Sequence, residues 1–195
     1  MSRIARLLPL LVLAAALAGC GINNVPTYDE QVKAAWSGVL NQYQRRTDLV
    51  PNLVETVKGY AKQEQTVFTE VTEARARVGQ MQLPPDILTN PAAFKEFQAS
   101  QQALGSALSR LLAVSEAYPE LKSNENFLAL QSQLEGTENR IAVARRDYIA
   151  AVQQYNTELR TIPGRWWAAM LYPDAKVKET FTIEESAKAA PTVKF

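Results

Sequence analysis

The side chains that could do chemistry in this sequence are arginines, carboxylates and a single cysteine, because the chain contains no histidine. Histidine is the side chain most often used as a general base and as a transition-metal ligand. No serine therefore has an imidazole to activate it, and the sequence contains no Gly-rich phosphate loop and no cluster of metal ligands. We predict no catalytic residues, no metal site, no cofactor and no enzymatic activity.

Two arginine pairs, Arg45–Arg46 and Arg145–Arg146, are candidates for binding a partner. Adjacent residues of a helix project about 100° apart, so at most one member of a pair can face the core. Arg45 and Arg46 precede a proline, where they could bind an acidic group of a partner or a phospholipid headgroup. The alternative is a salt bridge within the protein to one of three carboxylates: Glu64, Glu138 or Asp147.

Glu64 is the one carboxylate whose spacing places it within an apolar helical stripe. A buried carboxylate needs a partner, which one of five arginines could supply: Arg45, Arg46, Arg140, Arg145 or Arg146. The alternative is that Glu64 lies at the edge of the stripe and reaches solvent. The other carboxylates are spaced as on solvated helix faces, among basic residues.

The overall charge is balanced, with 21 Lys and Arg against 20 Asp and Glu. Without Arg3 and Arg6, which lie in a segment we expect to be removed, the balance is 19 to 20. A nucleic-acid surface needs clustered positive charge. The sequence therefore predicts no nucleic-acid partner.

The first 19 residues resemble a lipoprotein-type signal peptide, with Arg3 and Arg6 before the uncharged run Leu7–Ala18. This run is shorter than the roughly 20 apolar residues of a spanning helix. It ends in Leu-Ala-Gly-Cys, a pattern similar to the bacterial lipobox, which predicts lipidation of Cys20. The alternative is an uncleaved signal-anchor helix. After lipidation, Gly21 favours the outer over the inner membrane, since aspartate is the residue associated with inner-membrane retention.

Apolar residues spaced three and four apart predict long helices over residues 28–162, after a tether at 20–27. The first helix should begin at about Tyr28, and its stripe runs from Val32 to Val78 across Pro51, which lacks an amide hydrogen and crowds the preceding turn. The helix should kink there, or break and restart with Asp48 as a cap. The unbroken phase of the stripe favours the kink.

Several residues have the types expected at helix ends. They are Thr27 with Glu30 as a capping box, Gly79 as a left-handed terminus, Asn90 before Pro91, and Ser123 before the last long helix. Burying the stripes against one another predicts an all-α fold, an elongated antiparallel bundle of three to four long helices. Three polar residues interrupt the apolar seams, where they could fix register or line a ligand cavity: Gln101, Ser115 and Thr137.

Residues 163–195 are expected to form a partly ordered C-terminal tail. Its aromatic cluster, from Trp166 to Tyr172, could lie on a membrane surface or cap the bundle, and we favour capping. One short extended contact is expected around Thr180–Ile183.

Several blocks of the sequence together resemble LemA proteins. They are QYQRRTDLVPNLVETVKGYA, Glu73-Ala74-Arg75, YPELKSNENFLALQSQLEGTENRIAVARRDYIAAVQQYN and the closing APTVKF. The resemblance implies a bacterial envelope protein with a long-helix bundle held to a membrane by its N-terminus, without enzymatic activity. It also suggests a relation to magnetosome-membrane proteins. Two departures are Cys20, where many members look signal-anchored, and Ile162-Pro163, where Phe-Pro is expected.

From these observations we expect a non-enzymatic, membrane-anchored envelope protein that acts as a scaffold or adaptor for envelope proteins or organises membrane. Long exposed helical faces suit contacts with other proteins. The alternative is a binding module for a small or polymeric envelope ligand, with a polar pocket near Glu64 and the arginines.

Overall fold

A computed structural model describes residues 21–182; residues 1–20 and 183–195, which include the predicted signal peptide, Cys20, Ile183 and the closing APTVKF block, lie outside the described part. The described residues form helices and connecting segments without a strand, so the predicted all-α class is confirmed. The α-helices are α1 (Asn24–Tyr60), α2 (Gln65–Gln80), α3 (Pro91–Val114), α4 (Pro119–Lys122), α5 (Glu125–Arg160) and α6 (Gly164–Leu171). Short 3₁₀ turns lie at Ile87–Thr89 and Ser115–Ala117.

Helix α1 begins earlier than expected, and the predicted tether is correspondingly shorter. Asn23 occupies the N-cap position, and its carbonyl accepts the amide of Thr27 at 3.1 Å. Pro26 lies inside the first turn. A missing N–H loses no hydrogen bond there, because the first amides of a helix have no intrahelical acceptor. The capping box at Thr27 is therefore wrong, and only residues 21–23 separate the helix from Cys20.

Helix α1 passes Pro51 without interruption, whereas the chain breaks at residues 61–64, where no break was predicted. Fully buried Ala61 occupies this turn, and α2 then packs mainly against α3. The apolar stripe keeps its phase across the turn by coincidence of spacing, which is why the sequence pattern concealed it. The kink at Pro51 stays a prediction.

Two of the remaining helix ends differ from expectation. Gly79 lies inside α2, and the only described glycine with positive φ is Gly21, so a left-handed terminus at Gly79 is wrong. Asn124, rather than Ser123, caps α5 by accepting the amide of Phe127 at 3.0 Å. Asn90 caps α3 as predicted, since its side chain accepts the amide of Ala93 at 3.2 Å.

Helices α1 and α5 make the most extensive contact and run in opposite directions. Asn24 at the start of α1 donates to Glu158 near the end of α5, whereas Tyr60 at the end of α1 accepts from Asn124 before α5. At about 1.5 Å per residue, each of these helices is roughly 55 Å long.

The core consists of two apolar clusters along this length. One joins the second half of α1 to α2, the end of α3 and the start of α5, around Leu53, Leu104 and Leu111. The other is rich in aromatic rings and joins the first half of α1, the start of α3 and the end of α5. Trp36, Phe94, Phe97 and Tyr148 contact one another there, with ring centroids 5.1–6.2 Å apart.

The chain after α6 is packed against the helices as far as it is described. Phe181 inserts into the aromatic cluster, 5.1 Å from Phe94 and 5.5 Å from Tyr148. The backbone of Lys178 and Glu179 bonds to Asn156 and to the Leu88 carbonyl. A contact is thus present in the expected place around Thr180–Ile183 as far as Thr182, whose carbonyl accepts from Gln98.

Candidate functional site

A single polar layer separates the two apolar clusters. Arg46 of α1 lies between Tyr43 and Val50, and Gln101 of α3 lies between Phe97 and Leu104. Thr137 of α5 lies at the same level, and all three polar side chains are buried. The predicted seam positions Gln101, Ser115 and Thr137 are therefore inside the protein, and two of them share this layer with Arg46.

Arg46 is the centre of the layer, with 4% of its surface exposed. Its Nη2 donates to the Gln101 side-chain oxygen at 2.7 Å and to the Gln101 carbonyl at 2.8 Å. Its Nη1 donates to Glu138 at 3.2 Å, and the guanidinium lies 5.0 Å from the Tyr43 ring centroid. These contacts join α1, α3 and α5, so they compensate a buried charge that would otherwise be costly.

One N–H donor of this guanidinium has no acceptor among the described residues. The Nε of Arg46 is buried and has no hydrogen-bond partner among the described residues. Gly105 lies beside the group, and a Cβ at that position would come 3.4 Å from Nη1. A larger side chain there would press on the arginine, whereas glycine leaves it room.

A cleft of about 480 Å³ opens to solvent beside the polar layer. Its lining is mostly polar and comes from α1, α3, α5 and the last described residues: Tyr43, Arg46, Gln98, Gln101, Glu138 and Arg145. Arg145 is half-buried and stacks over Phe181, 4.4 Å from the ring centroid. Two arginines from different helices thus meet in one cleft, with a single carboxylate between them.

The remaining predicted binding residues lie elsewhere. Arg45 is exposed, and Arg146 is exposed with its Nε 3.8 Å from Asp147. Glu64 occupies the N-cap position of α2 and accepts the Tyr118 hydroxyl at 3.1 Å. It is half-buried in the turn after α1. The arginine partner considered for Glu64 is therefore wrong, and the position agrees with the stated alternative of an edge site that reaches solvent.

The Arg46–Glu138 ion pair corresponds to the intramolecular alternative stated for Arg46. Glu138 keeps 44% of its side-chain surface exposed and stays hydrated on one side. Sequence spacing placed Glu138 off the α5 seam, but a side chain at the edge can still reach inward. The register of Gln101 and Thr137 in their stripes was the signal that marked this level of the core.

Burial raises the pKa of Tyr43 in this cleft, while the nearby positive charges of Arg145 and Arg46 act in the opposite direction. The net shift is upward, so the hydroxyl stays protonated at neutral pH. It can act as a hydrogen-bond donor there, and it does not supply a phenolate.

A second polar junction, which sequence reasoning missed, holds the C-terminal segment on α1. Lys178 donates to Asp29 at 2.7 Å, and Lys33 lies 2.8 Å from the same carboxylate. Burial raises the pKa of Asp29, but the bonds and charges of Lys178 and Lys33 outweigh it and lower the pKa overall. Lys33 follows Asp29 by four residues, the spacing of a helical ion pair, whereas Lys178 lies in a segment without periodicity and carries no sequence signal for this pairing.

Within residues 21–182, no cluster of His, Cys, Asp and Glu is arranged to hold a metal ion. None of the helices in this range combines the length and apolar character that crossing a membrane requires.

Comparison with known proteins decides the family. The model of the LemA family matches residues 35–195. The chain belongs to the LemA family. Two magnetosome proteins of Paramagnetospirillum magneticum (strain ATCC 700264 / AMB-1), MamQ 1 and MamQ 2, are each 29% identical over 162 residues, which cover 75% of this chain and 60% of the relative. MamQ of Magnetospirillum gryphiswaldense (strain DSM 6361 / JCM 21280 / NBRC 15271 / MSR-1) is 26% identical over 157 residues, which cover 72% and 58%.

The matched part of this LemA protein thus spans about three fifths of the length of these relatives. The resemblance stated from the sequence blocks is confirmed. Family and relatives together indicate a membrane-associated bacterial envelope protein.

Proposed function

We propose that this LemA protein is a non-enzymatic scaffold or adaptor that is anchored to a membrane and binds other envelope proteins. The observation that carries the proposal is the outer face of α5. This helix packs chiefly on α1 and leaves an opposite face exposed over several turns. The exposed residues include Ala142, Val143, Arg146, Ala150 and Gln153.

The composition of this face suits a protein contact. Ala142, Ala150 and exposed Val143 offer small and apolar surface, and Arg146 offers charge at the same level. A helix partner can approach small residues closely, and one charged residue can fix its register. An elongated antiparallel bundle presents such a face along most of its length.

The proposed membrane anchor is a lipid on Cys20, after removal of residues 1–19. Helix α1 starts four residues after the cysteine. The anchor and the bundle would therefore be joined by a very short tether. The MamQ relatives are named magnetosome proteins, which supports a membrane location and includes membrane organisation among the roles we propose. We place the protein on the periplasmic side of the outer membrane.

Photo-crosslinking in intact cells tests the scaffold. A photoreactive phenylalanine analogue is placed at Ala150 on the outer face of α5 and, as a matched control, at exposed Thr69 on α2. We expect a discrete crosslinked band from position 150 that mass spectrometry assigns to one envelope protein. Adding Arg146→Glu should reduce that band several-fold. Equal crosslinking from both positions would contradict the proposal, as would a crosslinked band whose intensity does not change with Arg146→Glu.

The second candidate function is binding of an anionic group in the cleft between Arg46 and Arg145. It is favoured by the unpartnered, buried Nε of Arg46 and by the second arginine on the cleft wall. Guanidinium groups suit carboxylates and phosphates because they donate in a planar fork. Glu138 already neutralises part of this charge, so a ligand would have to compete with it.

Calorimetric titration with inorganic phosphate and with a uronic acid tests this second function. Arg145→Gln should abolish any heat of binding, whereas Arg146→Gln, at the exposed neighbouring position, should leave it unchanged. Absence of binding to the unchanged protein rejects the ligand cleft for these two anions, and equal effects of the two variants reject its location.

A further inference from the structure

Helix α6 exposes large apolar side chains that the bundle does not cover. Trp166 is 58% exposed and Met170 is 72% exposed, and the two are one helical turn apart. Leu171 follows Met170 at the end of the helix and is 49% exposed, and Ile162, two residues before the helix begins, is 64% exposed. We call these four residues the α6 face. Single exposed apolar residues are ordinary on proteins, but a contiguous group that contains tryptophan marks an interaction site.

The opposite side of α6 fixes the helix on the bundle. Ala168 and Tyr172 pack against the aromatic cluster. Gly164 is buried, and a Cβ there would collide with the Glu158 carbonyl, so only glycine allows this approach of α6 to α5. The α6 face is therefore held in a defined direction by the fold.

The described chain begins at this same end of the molecule. The Tyr172 hydroxyl donates to the Ile22 carbonyl at 3.3 Å, and Asn24 donates to Glu158 at 3.2 Å. Residue 21 follows Cys20 directly, and one residue spans at most about 3.6 Å. Whether Cys20 carries lipid or the apolar run before it stays in place, the anchor enters the membrane within a few residues of the α6 face.

The charge around the α6 face is suited to a phospholipid surface. Arg160, Arg165 and Lys176 are exposed close to it in the chain. The nearby carboxylates include exposed Asp174 and half-buried Glu158, which is turned toward Asn24. Asp29 also lines a cleft with Leu171, but its charge is paired with Lys33 and Lys178. Basic side chains beside an apolar face attract anionic headgroups, and tryptophan rings favour the membrane–water interface.

We propose that the α6 face lies in the interface of the lipid bilayer that carries the N-terminal anchor. The helix is eight residues long, so it lies on the membrane surface and orients the bundle with the α1 start toward lipid. The inference rests on the anchoring part of the proposed function. The α6 face adds a second membrane contact to that anchor, and a protein held only by a lipid on a flexible segment would lack this contact.

Site-specific fluorescence tests the contact. The full-length chain with Met170→Cys is labelled with the environment-sensitive dye NBD and reconstituted into vesicles of phosphatidylethanolamine and phosphatidylglycerol. Leu128→Cys is the matched control, because Leu128 is also exposed but lies near the start of α5, about 48 Å along that helix from its end at Arg160. The unchanged protein, treated with the same dye, reports any labelling of Cys20.

We expect a blue-shifted emission at position 170 and at least a two-fold quenching by brominated lipids, with neither change at position 128. Circular dichroism verifies that both variants keep the helical signal. Unshifted emission at 170 in protein that sediments with the vesicles overturns the contact and leaves the anchor intact. Absence of the protein from the vesicles overturns both. Equal quenching at 170 and 128, or a blue shift without lipid quenching, also overturns the proposal, the latter in favour of a protein that covers the face.

Discussion

Arg46 brings a positive charge into the middle of the core and uses it to join three helices. Its bonds to Gln101 leave that amide satisfied, and its bond to Glu138 reaches the surface. Removal of the guanidinium strands the buried side-chain oxygen of Gln101, since its carbonyl keeps the intrahelical bond, whereas Glu138 can return to water. We therefore expect Arg46→Met to lower the free energy of unfolding by about 2–3 kcal/mol, less than for a fully buried pair.

Urea denaturation measures this effect, and Arg45→Ala is the control at the neighbouring exposed position. The control should stay within about 0.5 kcal/mol of the unchanged protein. Equal losses in the two variants would mean that Arg46 does not hold the layer. Because Arg46 supports the core, Arg45 is the residue of this pair to change when a surface contact is tested.

The buried tyrosines make the protein sensitive to high pH. Burial raises the pKa of Tyr155 to about 12, with the Asp29 charge adding to the rise, and burial also raises the pKa of Tyr148. The unfolded chain ionises its tyrosines near pH 10, so above that pH it binds fewer protons than the folded chain. The free energy of unfolding is therefore at its full value below about pH 10 and falls as pH rises toward 12.

Each such tyrosine contributes a slope of up to about 1.4 kcal/mol per pH unit in this window. Tyr155→Phe removes one titrating group, so its stability should fall less steeply between pH 10 and pH 12. Urea midpoints at pH 8, 10 and 11 give the two slopes. Identical slopes for both proteins would show that Tyr155 does not ionise with a shifted pKa.

At the scale of elements, Pro51 leaves a carbonyl of α1 without its usual donor. Proline has no N–H, so the carbonyl four residues earlier, at Thr47, lacks an intrahelical bond. Arg75 of α2 reaches this carbonyl with its Nε at 3.4 Å. The arginine of the Glu73-Ala74-Arg75 block thus has a structural role that links α2 to α1.

Pro51→Ala should restore the backbone bond and raise the free energy of unfolding by about 1–3 kcal/mol, since proline is costly inside a helix. Arg75→Ala should destabilise the unchanged protein but have almost no effect in the Pro51→Ala background. A double-mutant cycle by urea denaturation measures this coupling, with Asn52→Ala as the exposed control. Additive effects of the two substitutions would show that Arg75 does not compensate for the missing amide of Pro51.

The C-terminal segment is an element of the core even though it has no regular structure. Phe181 contacts aromatic rings of α3 and α5 and is almost fully buried. Phe181→Ala should cost about 3–4 kcal/mol, because it opens a cavity in the cluster. Val177→Ala, at an exposed position of the same segment, should be nearly neutral. Thermal unfolding compares the two, and similar melting temperatures would place Phe181 outside the folding unit.

Helical periodicity was enough to predict the all-α class and most of the buried positions. The buried and partly buried residues of α3 and α5 recur every three or four residues, and Gln101 and Thr137 stand out as polar members of those rows. Asn90 followed by proline predicted the start of α3 because that cap depends on neighbouring residues alone. Features that depend on local chemistry could therefore be predicted from the sequence.

Features set by long-range packing could not be predicted from the sequence. The apolar residues keep their helical spacing across the turn at residues 61–64, so the sequence pattern of α1 and α2 is that of one helix. Which arginine of the first pair faces inward depends on the position of α3, which the sequence alone does not give. Phe181 is an isolated aromatic residue in a segment without period, and only the groove that it fills gives it significance.

At the scale of the whole molecule, the proposed anchor and the α6 face would lie at the same end of the bundle. Helices α1 and α5 run away from that end over roughly 55 Å, so in the proposed arrangement the outer face of α5 would extend from the membrane into the surrounding compartment. A short connection of residues 21–23 between Cys20 and α1 allows little rotation. Such an arrangement presents one defined side of the bundle to proteins at a set distance from lipid.

The form of anchor that we propose for this arrangement is a lipid on Cys20. We expect the protein extracted from membranes to begin at residue 20 and to carry the mass of two or more acyl chains, because one chain alone binds only marginally. Intact-mass spectrometry measures both properties, and Cys20→Ser should remove the lipid mass and much of the membrane-bound fraction. A chain that begins at Met1 without lipid would instead identify the apolar run Leu7–Ala18 as a retained anchor. In that case the membrane would still lie beside the α6 face, but the bundle would be held by a helix rather than by lipid.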